Sequence, residues 1–185
     1  MRHSDMTAMP PRTYHWDIPT TRQLSMSLHN DPDFFILLAD NHRRLTGKSL
    51  VPEGLTPQEG AAWLYETAPF GILAHNTLPD PVFVYGNQRV QRIFGYSWEE
   101  ITALPSRLSA EAPEQGERQA FLDQVSRHGY VSDYRGIRIT RDGRRFWIEN
   151  VTVWQLTDAD GTHRGQAAMI PSVRYLPDDI PVTGC

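Results

Sequence analysis

Residues 82–101 read VFVYGNQRVQRIFGYSWEEI, and the order of chemistries in this stretch decides the fold. Val82 to Gly86 is a short β-type run. Asn87 then opens a helix whose apolar residues are Val90, Ile93 and Phe94, and Gly95 ends it. Ser97-Trp98-Glu99-Glu100 is a capping box: the serine oxygen takes the amide three residues on, and Glu100 reaches back. Ile101 and Leu104 face inward, and Pro105 forbids continuation. The stretch predicts a strand feeding two brief helices that pack over a sheet, with a sharp corner at Gly95.

Upstream, residues 70–77 (FGILAHNT) and 81–87 (PVFVYGN) are two β-type runs joined by turn chemistry, Leu-Pro-Asp-Pro. Before them, Asp31-Pro32 opens a helix carrying Phe34, Phe35, Leu37, Leu38 and Leu45, with Gly47 as its stop. Thr56-Pro57 opens a second, with Ala61, Ala62, Leu64 and Tyr65 apolar. Downstream, residues 113–128 form a longer helix with Phe121, Leu122 and Val125, ended by Gly129. Three strands follow, 130–140, 144–157 and 163–170, separated by turns containing Asp142-Gly143 and Asp160-Gly161.

This order predicts an α+β fold: a five-stranded antiparallel sheet with its helices on one face, preceded by N-terminal helices. Residues 1–30, with Tyr14, Trp16 and Ile18, read as a flexible arm, 31–170 as the domain, and the proline-rich 171–185 as an irregular tail. Within FWIENVTVW, alternation breaks: Phe146, Ile148 and Trp154 share one parity, Val151 and Val153 the other. Either a β-bulge near Asn150 reconciles them, or both sheet faces are covered, the second by the N-terminal helix or a partner subunit.

The chain has 185 residues, a formal charge of −4 and a pI near 5.9. Its cations are scattered, so no electrostatic case exists for nucleic-acid binding. No apolar run approaches the ~20 residues that span a bilayer, and no leader peptide is evident. Cys185, the only cysteine, allows neither an internal disulfide nor a cysteine-rich metal site. A cytoplasmic protein is expected.

With these residues in this order, the chain resembles the PAS fold, in which a helix-opening Asn, a Phe-Gly-Tyr-Ser corner, a Glu-Glu pair and a late Asp-Gly-Arg-x-Phe hairpin recur together. It is similar, more closely, to the MEKHLA domain family, a PAS-related group of small bacterial proteins and plant homeodomain–leucine zipper C-termini. The similar pieces are LYETAPFGILAHNTLPDPVFVYGN, LPSRLSAE and HGYVSDYRGIRI, with VTVWQL and GQAA near the end. The resemblance implies a sensory, dimerising or regulatory module and carries over no catalytic residue.

PAS domains hold ligands between the sheet and the helices. In the flavin-binding LOV branch a reactive cysteine follows the corner; here Ser106 stands there. Its hydroxyl cannot replace a thiol, whose ordinary pKa is about 8.5. The polar strand positions that grip a flavin fall on Arg138 and Ile148, and Gln166 sits one place before Ala167, which would put it on the opposite face. Only Arg107 fits, so the sequence argues against a LOV-type flavin adduct. Haem would need His128, which reads better as a cation at a helix C-terminus. His75 lacks companions at metal-ligand spacing.

The candidate ligand-binding residues are Tyr85, Phe94, Trp98, Arg107, Tyr134, Ile148, Trp154 and Ala167. Small residues in the last strand (Gly165, Ala167, Ala168) leave room for a ligand or admit tryptophans into a filled core. The expected function is a non-enzymatic PAS-like sensory or regulatory module that binds a small molecule or a protein partner and forms a homodimer through the N-terminal helix and outer sheet face. The alternative is a small isomerase or hydrolase using Asp133, Glu149 and His75 in the sheet–helix cavity.

Overall fold

The computed structural model of the protein describes residues 28–177, with 112–115 by backbone only. Tyr14, Trp16 and Ile18 of the expected arm, and Cys185, lie outside these residues. Leu28–Asn30, assigned to the arm, form a 3₁₀ turn whose Leu28 is buried in the core.

Helix α1 spans Pro32–Thr46, capped by the Asp31 side chain and closed by Gly47 in the left-handed region (φ 73°). Helix α2, Pro57–Ala62, starts with a Thr56–Glu59 capping box and continues as a π turn over Trp63–Thr67. Strands β1 (Gly71–His75) and β2 (Phe83–Gly86) lead into α3 (Gln88–Phe94) and α4 (Trp98–Ile101). Helix α5, Ala112–His128, precedes β3 (Tyr130–Ile139), β4 (Arg145–Thr157), β5 (His163–Ile170) and β6 (Ser172–Tyr175).

The sheet is antiparallel in the order β2-β1-β5-β4-β3, with β6 also on β4. It therefore has six strands rather than five, and the tail expected to be irregular from Pro171 pairs first. Thr152 faces Met169 and Glu149 faces Ser172, so β5 and β6 follow β4 in one register. Pro171 falls opposite Asn150, whose φ of 54° marks the bulge. A proline is tolerated in a sheet at such a break, where no ladder amide is needed.

Both readings of the broken alternation hold. The bulge puts Phe146, Ile148, Val151 and Val153 in one core with Leu73, Phe83, Phe94 and Val125. Trp154 and Leu156 then point the other way, into a second core with Ile72, Ala74, Phe34, Phe35 and Leu38 of α1. The inner face thus carries α3 and α5, α1 covers part of the outer face, and α4 reaches both cores through Ile101 and Trp98.

Two side chains pin these layers. Asn41 of α1 treats Thr157 as a neighbouring strand would: its Nδ2 donates to the Thr157 carbonyl (2.9 Å) and its Oδ1 accepts from the Thr157 amide (3.3 Å). Asn87, fully buried, has all its main polar capacity in use. Its Oδ1 accepts from the Ile72 and Val90 amides (3.0 Å each); its Nδ2 donates to the carbonyls of Leu64 (3.0 Å) and Phe70 (2.9 Å).

The capping box at the corner is present: Glu100 N donates to Ser97 Oγ (3.3 Å), and Ser97 N to Glu100 Oε2 (2.9 Å). Ser97→Ala is expected to cost about 1 kcal/mol, read as a lower urea midpoint at unchanged slope. No loss would place the corner's stability elsewhere.

Candidate functional site

A cavity of about 50 Å³ lies between the inner face and α5. Its apolar lining includes Leu73, Phe83, Phe94, Ile148, Val151 and Ile170. Its polar lining is His75, Arg118, Arg138, Gln166, Tyr134 and Ser109. At this size it holds a water or two, or a small ligand group.

Of the eight expected residues, the structure brings Phe94, Tyr134, Ile148 and Ala167 to this cavity. Tyr85, Trp98 and Trp154 lie instead in the outer-face core. The bulge at Asn150 turns Trp154 away, and a register shift between β1 and β2 turns Tyr85 away from Phe83. Trp98 meets Tyr85 edge-on across the edge strand (centroids 5.8 Å). Arg107 is half exposed and pairs with Asp80 (3.1 Å). Ser106, at the LOV cysteine position, is buried with no partner for Oγ, and does not line the cavity.

Gln166 corrects the sequence reading. It points to the inner face, where its Nε2 donates to the Leu122 carbonyl (3.3 Å) and Ser126 Oγ (3.1 Å) of α5. Ala167 borders the cavity but packs into the opposite core. The true register is thus one residue away from the one expected. Arg118 and Gln166 are the site residues that sequence reasoning missed. Arg118 sits on a helix of weak amphipathicity, and a lone arginine there reads as solvated.

The three groups of the enzymatic alternative do not converge. His75 lines the cavity. Asp133 is exposed at a bulge with φ 60°, and Glu149 pairs with Arg135 (3.2 Å) and Arg174 (3.4 Å). Among the described residues no carboxylate lines the cavity and no cluster of metal-ligating residues occurs.

Electrostatically the cavity is cationic and short of partners. Arg118 and Arg138 are each 7% exposed, and Gln166 4%. Arg138 donates to the Ile137 carbonyl (2.7 Å) and Tyr134 Oη (3.2 Å). Arg118 has no ion pair among the described residues; burial first, and then Arg138, lower its pKa to about 10. His75 Nδ1 faces the Asn76 carbonyl (2.8 Å), which fixes the proton on Nδ1 and leaves Nε2 as an acceptor. Nε2 is buried, and so is Gln166 Oε1 on the register-paired residue of β5; neither makes a well-formed hydrogen bond, and the contact between the two side chains partly opposes the lowering of the His75 pKa. Leu122's carbonyl can only accept, which fixes the amide's orientation.

Burial lowers the pKa of His75, and of His42, which stacks edge-on against Trp154. The unfolded chain then binds more protons than the folded one, so stability is full above about pH 6.5 and falls below it, by at most about 1.4 kcal/mol per pH unit per histidine. The melting temperature is expected to drop between pH 7 and 5.5, and His75→Gln to flatten that slope. An unchanged slope would mean His75 titrates freely in the folded protein.

The fold is that of PAS domains. Solved structures similar to the chain include the PAS domain of a protein from Colwellia psychrerythraea (15% identity, TM-score 0.52, 62% of this chain and 92% of that one). Another is an RNA-binding light-oxygen-voltage receptor (20% identity, TM-score 0.54, 66% of this chain and 34% of that one). The MEKHLA domain matches residues 33–175, and the chain belongs to that family. Among curated proteins, no match is found.

Proposed function

We propose that the chain is a non-enzymatic sensory or regulatory module that takes a small molecule between the sheet and α5 and signals through the elements packed on the sheet. The observation that carries this reading is the cavity with under-satisfied polar atoms: with His75 neutral, its Nε2 and Gln166 Oε1 are neighbouring buried acceptors, and neither makes a well-formed hydrogen bond to a described residue. A buried acceptor left unpaired costs about 1–3 kcal/mol, and a bound ligand removes that cost. Asp133 and Glu149 lie away from the cavity, and none of its described lining residues is a carboxylate acid or base, which disfavours the isomerase or hydrolase reading.

Dimerisation belongs to the proposal through the outer sheet face and the β3 edge, the part of the expected surface that α1 does not cover. Phe34, Phe35 and Leu38 of α1 are buried in the chain's own core, so they offer nothing to a partner. The unpaired edge strand β3 is what supports a second copy: Trp147 is register-paired with Ile137 and Arg174, and Arg135 stacks over its ring (3.8 Å). Light scattering is expected to give a dimer, and Trp147→Glu a monomer of native secondary structure. A wild-type monomer at micromolar concentration removes this part. A protein partner would carry output from the same surface. A cytoplasmic setting is part of the reading; no helix among the described residues is long and apolar enough to cross a membrane.

The test of ligand binding is mass spectrometry of small molecules released on denaturing freshly purified protein, with an absorbance spectrum beforehand. A stoichiometric metabolite supports the reading. Protein that releases none and gains no thermal stability from any compound of a metabolite panel overturns it.

A further inference from the structure

Three independent features of the cavity specify more than a generic ligand. The first is charge. Two arginines, each more than nine-tenths buried, face one small space, and neither has a carboxylate within ion-pairing distance among the described residues. Buried charges are normally paired, and two unpaired ones in a single cavity repel each other as well. The second is the pair of under-satisfied atoms. His75 Nε2 and Gln166 Oε1 are both acceptors, on residues directly opposite in the β1–β5 ladder. An anion alone does not satisfy them; they need a donor. The third is size and floor. About 50 Å³ walled by Phe83, Ile148 and Val151 is a third of the ~150 Å³ that takes a benzene ring, so it excludes a ring system and admits only the smallest organic ligands.

We propose that this cavity binds a small hydroxycarboxylate, with its carboxylate held by Arg118 and Arg138 and its hydroxyl donating to His75 Nε2 or Gln166 Oε1. The inference rests on the sensory reading above but is narrower. Arginine is suited to this task because its fork of donors matches carboxylate geometry. Burial keeps the site poised: the lowered pKa of Arg118 reflects the penalty that an incoming anion relieves.

The experiment titrates the full chain with three closely related probes at matched ionic strength, sodium lactate, sodium propionate and lactamide, followed by calorimetry and thermal melting. Lactate is expected to bind and raise the melting temperature. Propionate, lacking the hydroxyl, and lactamide, lacking the charge, are each expected to bind about tenfold more weakly or worse. Gln166→Leu together with His75→Phe should erase the preference for lactate over propionate. Arg118→Met should abolish lactate binding while leaving the protein without lactate no less stable, since it removes an unpaired buried charge; Arg138→Gln is the second variant if Arg118→Met does not fold. Equal binding of lactate and lactamide overturns the proposal, as does equal binding of lactate and propionate, or full lactate binding by a folded Arg118→Met protein. A neutral metabolite released from the purified protein would overturn it too, while leaving the sensory reading intact; binding of no compound at all defeats both.

Discussion

Asn87→Ala is expected to leave little folded protein at 37 °C. The substitution strips four buried backbone groups of their partners at once: the Leu64 and Phe70 carbonyls lose a donor, and the Ile72 and Val90 amides lose an acceptor. Each orphaned group costs about 1–3 kcal/mol, against a total stability of about 5–15 kcal/mol for a domain of this kind. The four groups belong to the turn after α2, the segment before β1, β1 itself and α3, so no single element can shift to compensate. Asn87→Asp keeps the two acceptor contacts but turns a carboxylate oxygen toward two carbonyls, and is expected to fare almost as badly. Soluble yield and the urea midpoint are the measurements. A loss below about 1 kcal/mol for Asn87→Ala would mean that water replaces the amide, and that the hub is a local cap only.

Trp154→Ala is expected to cost about 3–5 kcal/mol, the usual range for removing a fully buried aromatic. Its distinctive consequence is regional. Trp154 packs into the core that α1 shares with the outer face and touches the His42 ring (centroids 4.8 Å). Amide hydrogen exchange in α1 should accelerate far more than in α3 or α5, which sit on the inner face. Trp154→Phe is expected to be much milder, because the indole N–H has no partner to lose. Uniform acceleration across the domain would show that the two cores unfold as one.

Most of the architecture was legible in the sequence because it is written in local chemistry. Asp31, Thr56, Asn87 and Ser97 all cap the helices they were expected to open, and Gly47, Gly95 and Gly129 end them. The hairpin turns at Asp142-Gly143 and Asp160-Gly161 separate the strands expected around them. What was not legible is facing. A strand's parity predicts its faces only until the first bulge, and this sheet has bulges at Asp133 and Asn150 and register shifts near His75 and Thr157. Trp154, Tyr85 and Gln166 were each placed on the wrong side by such a slip. Arg118 was missed for another reason: burial of a charged helix residue depends on what lies opposite, and nothing adjacent in sequence reports it. The sixth strand was missed because Pro171 reads as a terminator, and only the bulge across from it makes it harmless.

The sheet between α5 and α1 is one residue thick. Gln166 meets α5, while its neighbour Ala167 abuts Trp154 and, through it, the ring of His42. Close-packed interiors transmit displacement rather than absorb it. Whatever nudges β5 from one side is therefore felt on the far side within a single peptide unit, and the N-terminal helix works as a needle resting on a diaphragm, its deflection the first motion available for anything downstream to read.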